Sequence, residues 1–380
     1  MRVYLDNAAT TPVAPEVAEC MISLIREEFG NPSSSHYYGR KSKAVIENSR
    51  RTIARILNCQ PSEIIFTSGG TEADNMALNT AVHCLGVTHI ITSKIEHHAV
   101  GHTAEHITTD CPQVRISYVE LDDKGHVNLN HLETLLNTEE KTLISLMHAN
   151  NEIATLLPLK KVSELAKKYN AYFHSDTVQT MGHYAFDLKE LDIDFITCAA
   201  HKFHGPKGIG FLYVNKNNTV QPLIHGGAQE RGFRGGTENL YGIAGLAKAM
   251  ELAYEDVEKH QEHVQEVKDH MIHLLKENFD DISFIGETDP ANSLYTVLNV
   301  SFPKTEKAGM LLFTLDLKGV AASGGSACSS GAVKGSHVLE GIGADGTRPN
   351  VRFSFSRYTT REEIEYTVSQ LVEIFEKTLA

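Results

Sequence analysis

Short apolar runs alternate with longer amphipathic stretches through the first two-thirds of the chain. Residues 63–67, 89–92, 142–147, 171–176 and 195–200 read as strands with little polar surface, the pattern of strands covered on both faces. Between them, Val162, Leu165, Ala166 and Tyr169 fall at i, i+3, i+4 and i+7, which predicts an amphipathic helix. A further helix-compatible stretch starts at Glu72. Strand–helix alternation of this kind favours a mostly parallel sheet with helices on both faces. Past about Gly242 the character changes. Residues 251–279 read as one long, charge-rich helical stretch and 295–302 as a strand. Thr360 and Glu363 have capping-box spacing, and Ile364, Val368, Leu371 and Phe375 then form an apolar helical face. The fold class expected is α/β: a mostly parallel central sheet with helices on both faces, plus a smaller α+β domain. Its boundaries are expected at 13–256 for the large domain, and at 1–12 with 257–380 for the small one.

Length supports two domains, because single cores stop growing beyond roughly 250–300 residues and this chain has 380. A net charge of −13 with no dense Lys/Arg stripe argues against direct nucleic-acid binding. No run is long enough to span a bilayer. The six cysteines contain no Cys-x-x-Cys pair, which gives poor support to a metal or cluster ligand set and suits reduced thiols in a cytoplasmic protein.

Several positions carry candidate chemistry. Lys202 follows an apolar strand and precedes a Gly/Pro cluster. A lysine fixed there faces a cavity, and partial desolvation favours the neutral amine that forms a Schiff base. Gly69-Gly70-Thr71 lies between a strand and a helix, where free amides bind phosphate; an N-cap role for Thr71 is the alternative. Asp176 ends a strand and can hold a ring nitrogen protonated, or can simply cap a helix. His97-His98 invites a metal reading, but no further ligands are identifiable, and stacking of one imidazole on a flat ring suits better. Arg352 alternates with Val351 and Phe353, so it points away from them and can fork a substrate carboxylate. Cys328 sits in a run of small residues, about 323–335, expected to be a mobile, exposed loop.

These positions belong to motifs spread along nearly the whole chain. They include Tyr4-Leu-Asp-Asn-Ala-Ala-Thr-Thr-Pro12, Phe66-Thr-Ser-Gly-Gly-Thr-Glu72, Glu96-His-His-Ala-Val100, Met147-His-Ala-Asn-Asn-Glu-Ile153, Phe173-His-Ser-Asp-Thr-Val-Gln179, His201-Lys-Phe-His-Gly-Pro-Lys-Gly208, Gly236-Thr-Glu-Asn239 and Ser326-Ala-Cys-Ser-Ser-Gly331. In order and spacing they resemble the NifS/IscS-type cysteine desulfurases, pyridoxal-phosphate enzymes of aminotransferase class V with the type I fold.

The resemblance implies a role for each position. Lys202 would hold pyridoxal 5'-phosphate, Asp176 its ring nitrogen and Gln179 its phenolic oxygen, with Asn151 a further amide of the site. His97 would stack on the ring and take part in catalysis. Gly70, Thr71 and His201 would contact the phosphate, and Thr237 would reach it from the other subunit of a homodimer. Arg352, with Asn151, would bind the carboxylate of L-cysteine, and Cys328 would be the persulfide-forming nucleophile. The implied reaction yields L-alanine and passes sulfur to an acceptor protein, an iron–sulfur scaffold or a tRNA-thiolation enzyme. A selenocysteine lyase or another class V aminotransferase is the alternative. Two departures stand out. Family members carry a hydroxyl two residues before the histidine of the His-Lys pair, where this chain has Ala199, so somewhat weaker cofactor retention is expected. Ala154 stands where glycine is common, and little is expected of it.

Overall fold

The computed structural model describes residues 1–305, 308–324 and 335–379. Its centre is a seven-stranded sheet. From edge to edge the strands are Ile64–Thr67, Gly210–Val214, Phe195–Ala199, Tyr172–Asp176, Thr142–Ser145, His89–Thr92 and Arg115–Tyr118. Gly210–Val214 is antiparallel to both its neighbours, and every other pairing is parallel. The expectation of a mostly parallel sheet holds. Two of its strands were not expected from the sequence. Arg115–Tyr118 is an edge strand whose residues are exposed or half-buried, so it lacks an apolar run. Gly210–Val214 does carry an apolar run, Phe211-Leu-Tyr-Val214, but it comes directly after a glycine-rich turn that reads as loop.

Successive residues of the central strands feed two different cores, as the two-residue side-chain period requires. Ile64, Phe66, Ile91, Ile144, Ile196 and Phe211 pack on one face with Ile53 and Leu246. Ile65, Ile90, Leu143, Phe195 and Leu212 pack on the other with Ala77 and Val100.

A separate core joins Val3 and Leu5 to Val267, Met271, Leu298, Val300, Val351, Phe353, Ile364 and Leu371. It is built on an antiparallel sheet of Asn350–Ser354, Val297–Ser301 and Ser283–Ile285. The N-terminal strand Val3–Tyr4 pairs in parallel with Val320–Ala321. The stretch read as one helix from 251 is two helices, Leu240–Glu255 and Val257–Asn278, broken at Asp256 (φ −135°, ψ 40°). The break has a packing reason. Met250 and Ala253 bury in the first core, whereas Val264, Val267 and Met271 bury in the separate one. The final helix, Arg361–Leu379, starts with the expected capping box: the Thr360 amide donates to Glu363 Oε2 (2.9 Å) and the Glu363 amide to Thr360 Oγ1 (3.3 Å).

Ala154 is more costly than the sequence suggested. Its φ is +64°, the left-handed region where a Cβ is disfavoured by about 1–2 kcal/mol, which is why glycine suits the position.

Candidate active site

Six strands of the sheet run in one direction, and the segments that leave the ends of five of them wall a cavity of about 410 Å³. This is the crevice in which open α/β sheets bind ligands. Gly70, Thr71, His97, Asn151, Asp176, Gln179, His201, Lys202 and Arg352 all line it. Nine of the sequence-derived positions, separated by up to 282 residues (352 − 70), are thereby brought together.

Lys202 is fixed from an unexpected direction. Its Nζ donates to the carbonyls of Ala8 (2.5 Å) and Ala9 (3.0 Å). Gln179 Nε2 also donates to the Ala8 carbonyl (3.1 Å), and His201 Nδ1 lies 3.1 Å from Thr10 Oγ1. The N-terminal segment therefore laces the floor of the cavity to the separate core that Val3 and Leu5 enter.

Asp176 is almost fully buried, and its Oδ1 accepts from the Val178 amide (2.9 Å). Its chain leaves the strand in a turn, so a helix-capping role is not what it serves. Burial, then the neighbouring Asp74 carboxyl, raises its pKa, and His97 opposes the rise. His97 caps the helix His98–Asp110, its Nδ1 accepting from the Ala99 amide (3.1 Å). That bond fixes the ring orientation. Asp74, His97 and Asp176 each place one polar atom within 4.8 Å of the others.

The helix Gly70–His83 starts at the cavity wall. Its N-cap is Gly69 with no side-chain cap bond, so Thr71 lies inside the first turn and is not the cap. The amide end of the helix is thus left to an anion. Gly70 is required there, because a Cβ would come within 2.7 Å of Val178 Cγ2.

Arg352 is 2% exposed. One terminal nitrogen donates to the Asn151 carbonyl and the other to Asp6 Oδ1, both at 3.0 Å, and its buried Nε has no hydrogen-bond partner among the described residues. A buried guanidinium with donor capacity in reserve is suited to a carboxylate.

Thr237 does not join this cavity. It is exposed and lines a separate small one with Thr67, Ser68, Gly208 and Arg234. Cys328 lies outside the described residues. The chain on either side of that segment stands at the cavity rim. Ser323 exchanges both backbone bonds with Arg352 (3.3 and 2.7 Å). Ser336 Oγ bonds Glu152 Oε2 (2.5 Å), and His337, which lines the cavity, lies 2.9 Å from the Glu96 carbonyl through Nε2. Burial pushes Glu152 up to about 7, while the Ser336 hydroxyl that donates to it and the Arg352 guanidinium oppose the rise.

Sequence reasoning missed Asp74, Asp6, Glu152 and the Ala8 and Ala9 carbonyls. Asp74 had a usable signal: it lies three residues after Thr71, on the same helical face. The carbonyls had none, since backbone acceptors carry no side-chain signature.

The residues present fit a phosphorylated aromatic aldehyde: an amine at the floor, a buried acid, an imidazole and an uncapped helix start share one cavity. Ala199, 2% exposed, lines the same wall, and a Cβ at Gly70 would lie 3.7 Å from its methyl. Ala199→Ser is expected to slow cofactor loss by a factor matching roughly 0.5–1.5 kcal/mol, measured as the off-rate of the visible chromophore. An unchanged off-rate would mean the missing hydroxyl has no role.

The chain is similar over nearly all its length to proteins of known family. The aminotransferase class-V profile matches residues 3–367. "Cysteine desulfurase IscS" from Dictyoglomus turgidum is 44% identical, covering 99% of this chain and 95% of that protein. "Putative cysteine desulfurase IscS 1" from Bacillus subtilis is 40% identical, covering 99% of each. Among solved structures, one titled "NIFS-LIKE PROTEIN" superposes with a TM-score of 0.91 at 37% identity, covering 99% of this chain and 100% of that one. Another, "SspA in complex with cysteine", gives 0.79 at 30% identity over 95% and 100%. With the fold, the strand-end cavity and this full-length similarity in agreement, the chain belongs to the aminotransferase class-V family.

Proposed function

We propose that this protein is a cysteine desulfurase that uses pyridoxal 5'-phosphate to convert L-cysteine to L-alanine and collects the sulfur as a persulfide on Cys328. The observation that carries this reading is the convergence of Lys202, Asp176 and Arg352 on one cavity, with Ser323 and Ser336, which flank the Cys328 segment, anchored at its rim. The names of the relatives and the cysteine complex of a similar structure support it.

When bound, the cofactor supplies an electron sink for the substrate's Cα. Lys202 would hold it covalently and, once displaced by substrate, accept and return the Cα proton. Asp176 would keep the ring nitrogen protonated, Gln179 and Asn151 would hold the ring's oxygen side, and His97 would cover its face. Gly70, Thr71 and His201 would hold the phosphate. Arg352 would orient the substrate carboxylate. The Cys328 thiolate would then attack the substrate sulfur: an S–S bond forms, the C–S bond breaks, and the carbon keeps the electron pair and takes a proton.

Thr237, exposed and outside the main cavity, is read as a phosphate contact offered to a second copy in a homodimer. Exposed Ile22, Ile25, Phe29, Tyr37 and Tyr38 offer apolar surface for such an interface. The two separate cores are read as two domains, 13–256 and 1–12 with 257–380. No helix among the described residues is long and apolar enough to cross a membrane. The protein is read as cytoplasmic, delivering sulfur to an iron–sulfur scaffold or a tRNA-thiolation enzyme.

Cys328→Ser is the direct test. The variant is expected to keep the cofactor's colour and lose sulfide release from cysteine. Full sulfide release would reject Cys328 as the nucleophile, whereas amino transfer to a keto-acid co-substrate without sulfide release from the unmodified protein would mark a class V aminotransferase. Preference for selenocysteine over cysteine in the unmodified protein would instead mark a lyase.

A further inference from the structure

Asp74 is 1% exposed on the helix Gly70–His83, among buried Ala73, Met76, Ala77 and Leu78. An apolar side chain would serve packing there better, because a buried carboxyl short of partners costs free energy. Asp74 lines the cofactor cavity, and its buried Oδ1 has no hydrogen-bond partner among the described residues. His174 Nε2 lies 3.3 Å away but out of hydrogen-bond alignment. The Thr197 hydroxyl, 3.1 Å from His174 Nε2, favours the ionised form of the Asp74 carboxyl. The groups facing it are Asp176 and His174 on the strand Tyr172–Asp176, with His97 and Glu96 across the pocket. Burial holds His174 far below its usual pKa, at about 4, so it supplies no fixed positive charge, and His97 favours the ionised carboxyls.

We propose that Asp74 is a positioning residue that acts through Asp176, forming with it a carboxyl pair at the ring-nitrogen end of the cofactor cavity whose second negative charge develops when a protonated ring nitrogen is present. The inference rests on the cofactor reading above. Two buried carboxyls this close resist ionising together. Burial raises both pKa values, and the Asp74 carboxyl raises that of Asp176 further, so the pocket alone disfavours ionising both. A cationic ring beside Asp176 removes the reason for that proton. Asp74 then ionises and reinforces the hold of Asp176 on the ring proton.

The test is a pH titration of the bound cofactor's visible absorption in the holoenzyme. In Asp74→Asn, which keeps shape and removes charge, the apparent pKa of the cofactor transition is expected to fall by about one unit or more. Thr197→Val, which withdraws the hydroxyl that favours the ionised Asp74, is expected to shift it the same way by less. This second variant also decides the matter if the first does not fold. Transitions that coincide with the unmodified protein's would overturn the role of Asp74 and leave the cofactor reading intact. Absence of any cofactor band in the unmodified protein would overturn both.

Discussion

Replacing Lys202 with alanine is expected to abolish the covalent link to the cofactor and to lower turnover on the order of 10³-fold or more. A positioned proton-transfer group alone contributes about 10²–10⁴-fold, and Lys202 also supplies the attachment point. The geometry explains why no neighbour substitutes for it. Lys202 follows the strand Phe195–Ala199 through a single turn of 3₁₀ helix, and its Nζ is held by the Ala8 and Ala9 carbonyls. Those two acceptors hold the amine at the cavity wall. The check is mass spectrometry after hydride reduction. The unmodified protein should show a cofactor-modified peptide containing Lys202. The same modified peptide mass shift elsewhere in Lys202→Ala would overturn the assignment.

The second large effect is expected at Arg352. Arg352→Gln should raise the KM for cysteine roughly 10- to 150-fold, the loss of a charged hydrogen-bonded contact of about 1.5–3 kcal/mol, with a smaller change in kcat. A stability cost should accompany it. The substitution strips the ion pair from Asp6, whose Oδ1 accepts from the guanidinium at 3.0 Å. Asp6 is only partly buried, so its solvation limits that cost. Arg352→Lys should recover charge but not the fork, leaving KM raised. An unchanged KM in the Gln variant, with a normal melting transition, would show that the substrate carboxylate is bound elsewhere.

How much of this could be read from the sequence depended on what each element needs from its surroundings. The central strands were legible because burial on both faces demands unbroken apolar runs, as in His89–Thr92 and Phe195–Ala199. Arg115–Tyr118 was not, because an edge strand needs only a partner's backbone, and that leaves no mark in side-chain type. The helix break at Asp256 was hidden for a similar reason: both halves are apolar on one face, and only the change of core separates them. Within the site, Lys202, Asp176, His97 and Arg352 announced themselves by type and position. Asp74 and the Ala8 carbonyl did not, since one looked like ordinary helix polarity and the other is backbone.

The sequence alone determined the layered α/β class, the order of the motifs and the residue types available for chemistry, because periodicity and strand-end spacing are local properties of the chain. Tertiary structure decided which of those residues meet. It drew the N-terminal segment under Lys202, buried the Arg352 fork against Asp6 and Asn151, put Thr237 in a different cavity, and set a second carboxyl beside Asp176. Each depends on contacts between segments far apart in the chain, and such contacts are fixed by packing of whole elements rather than by the residues within any one of them.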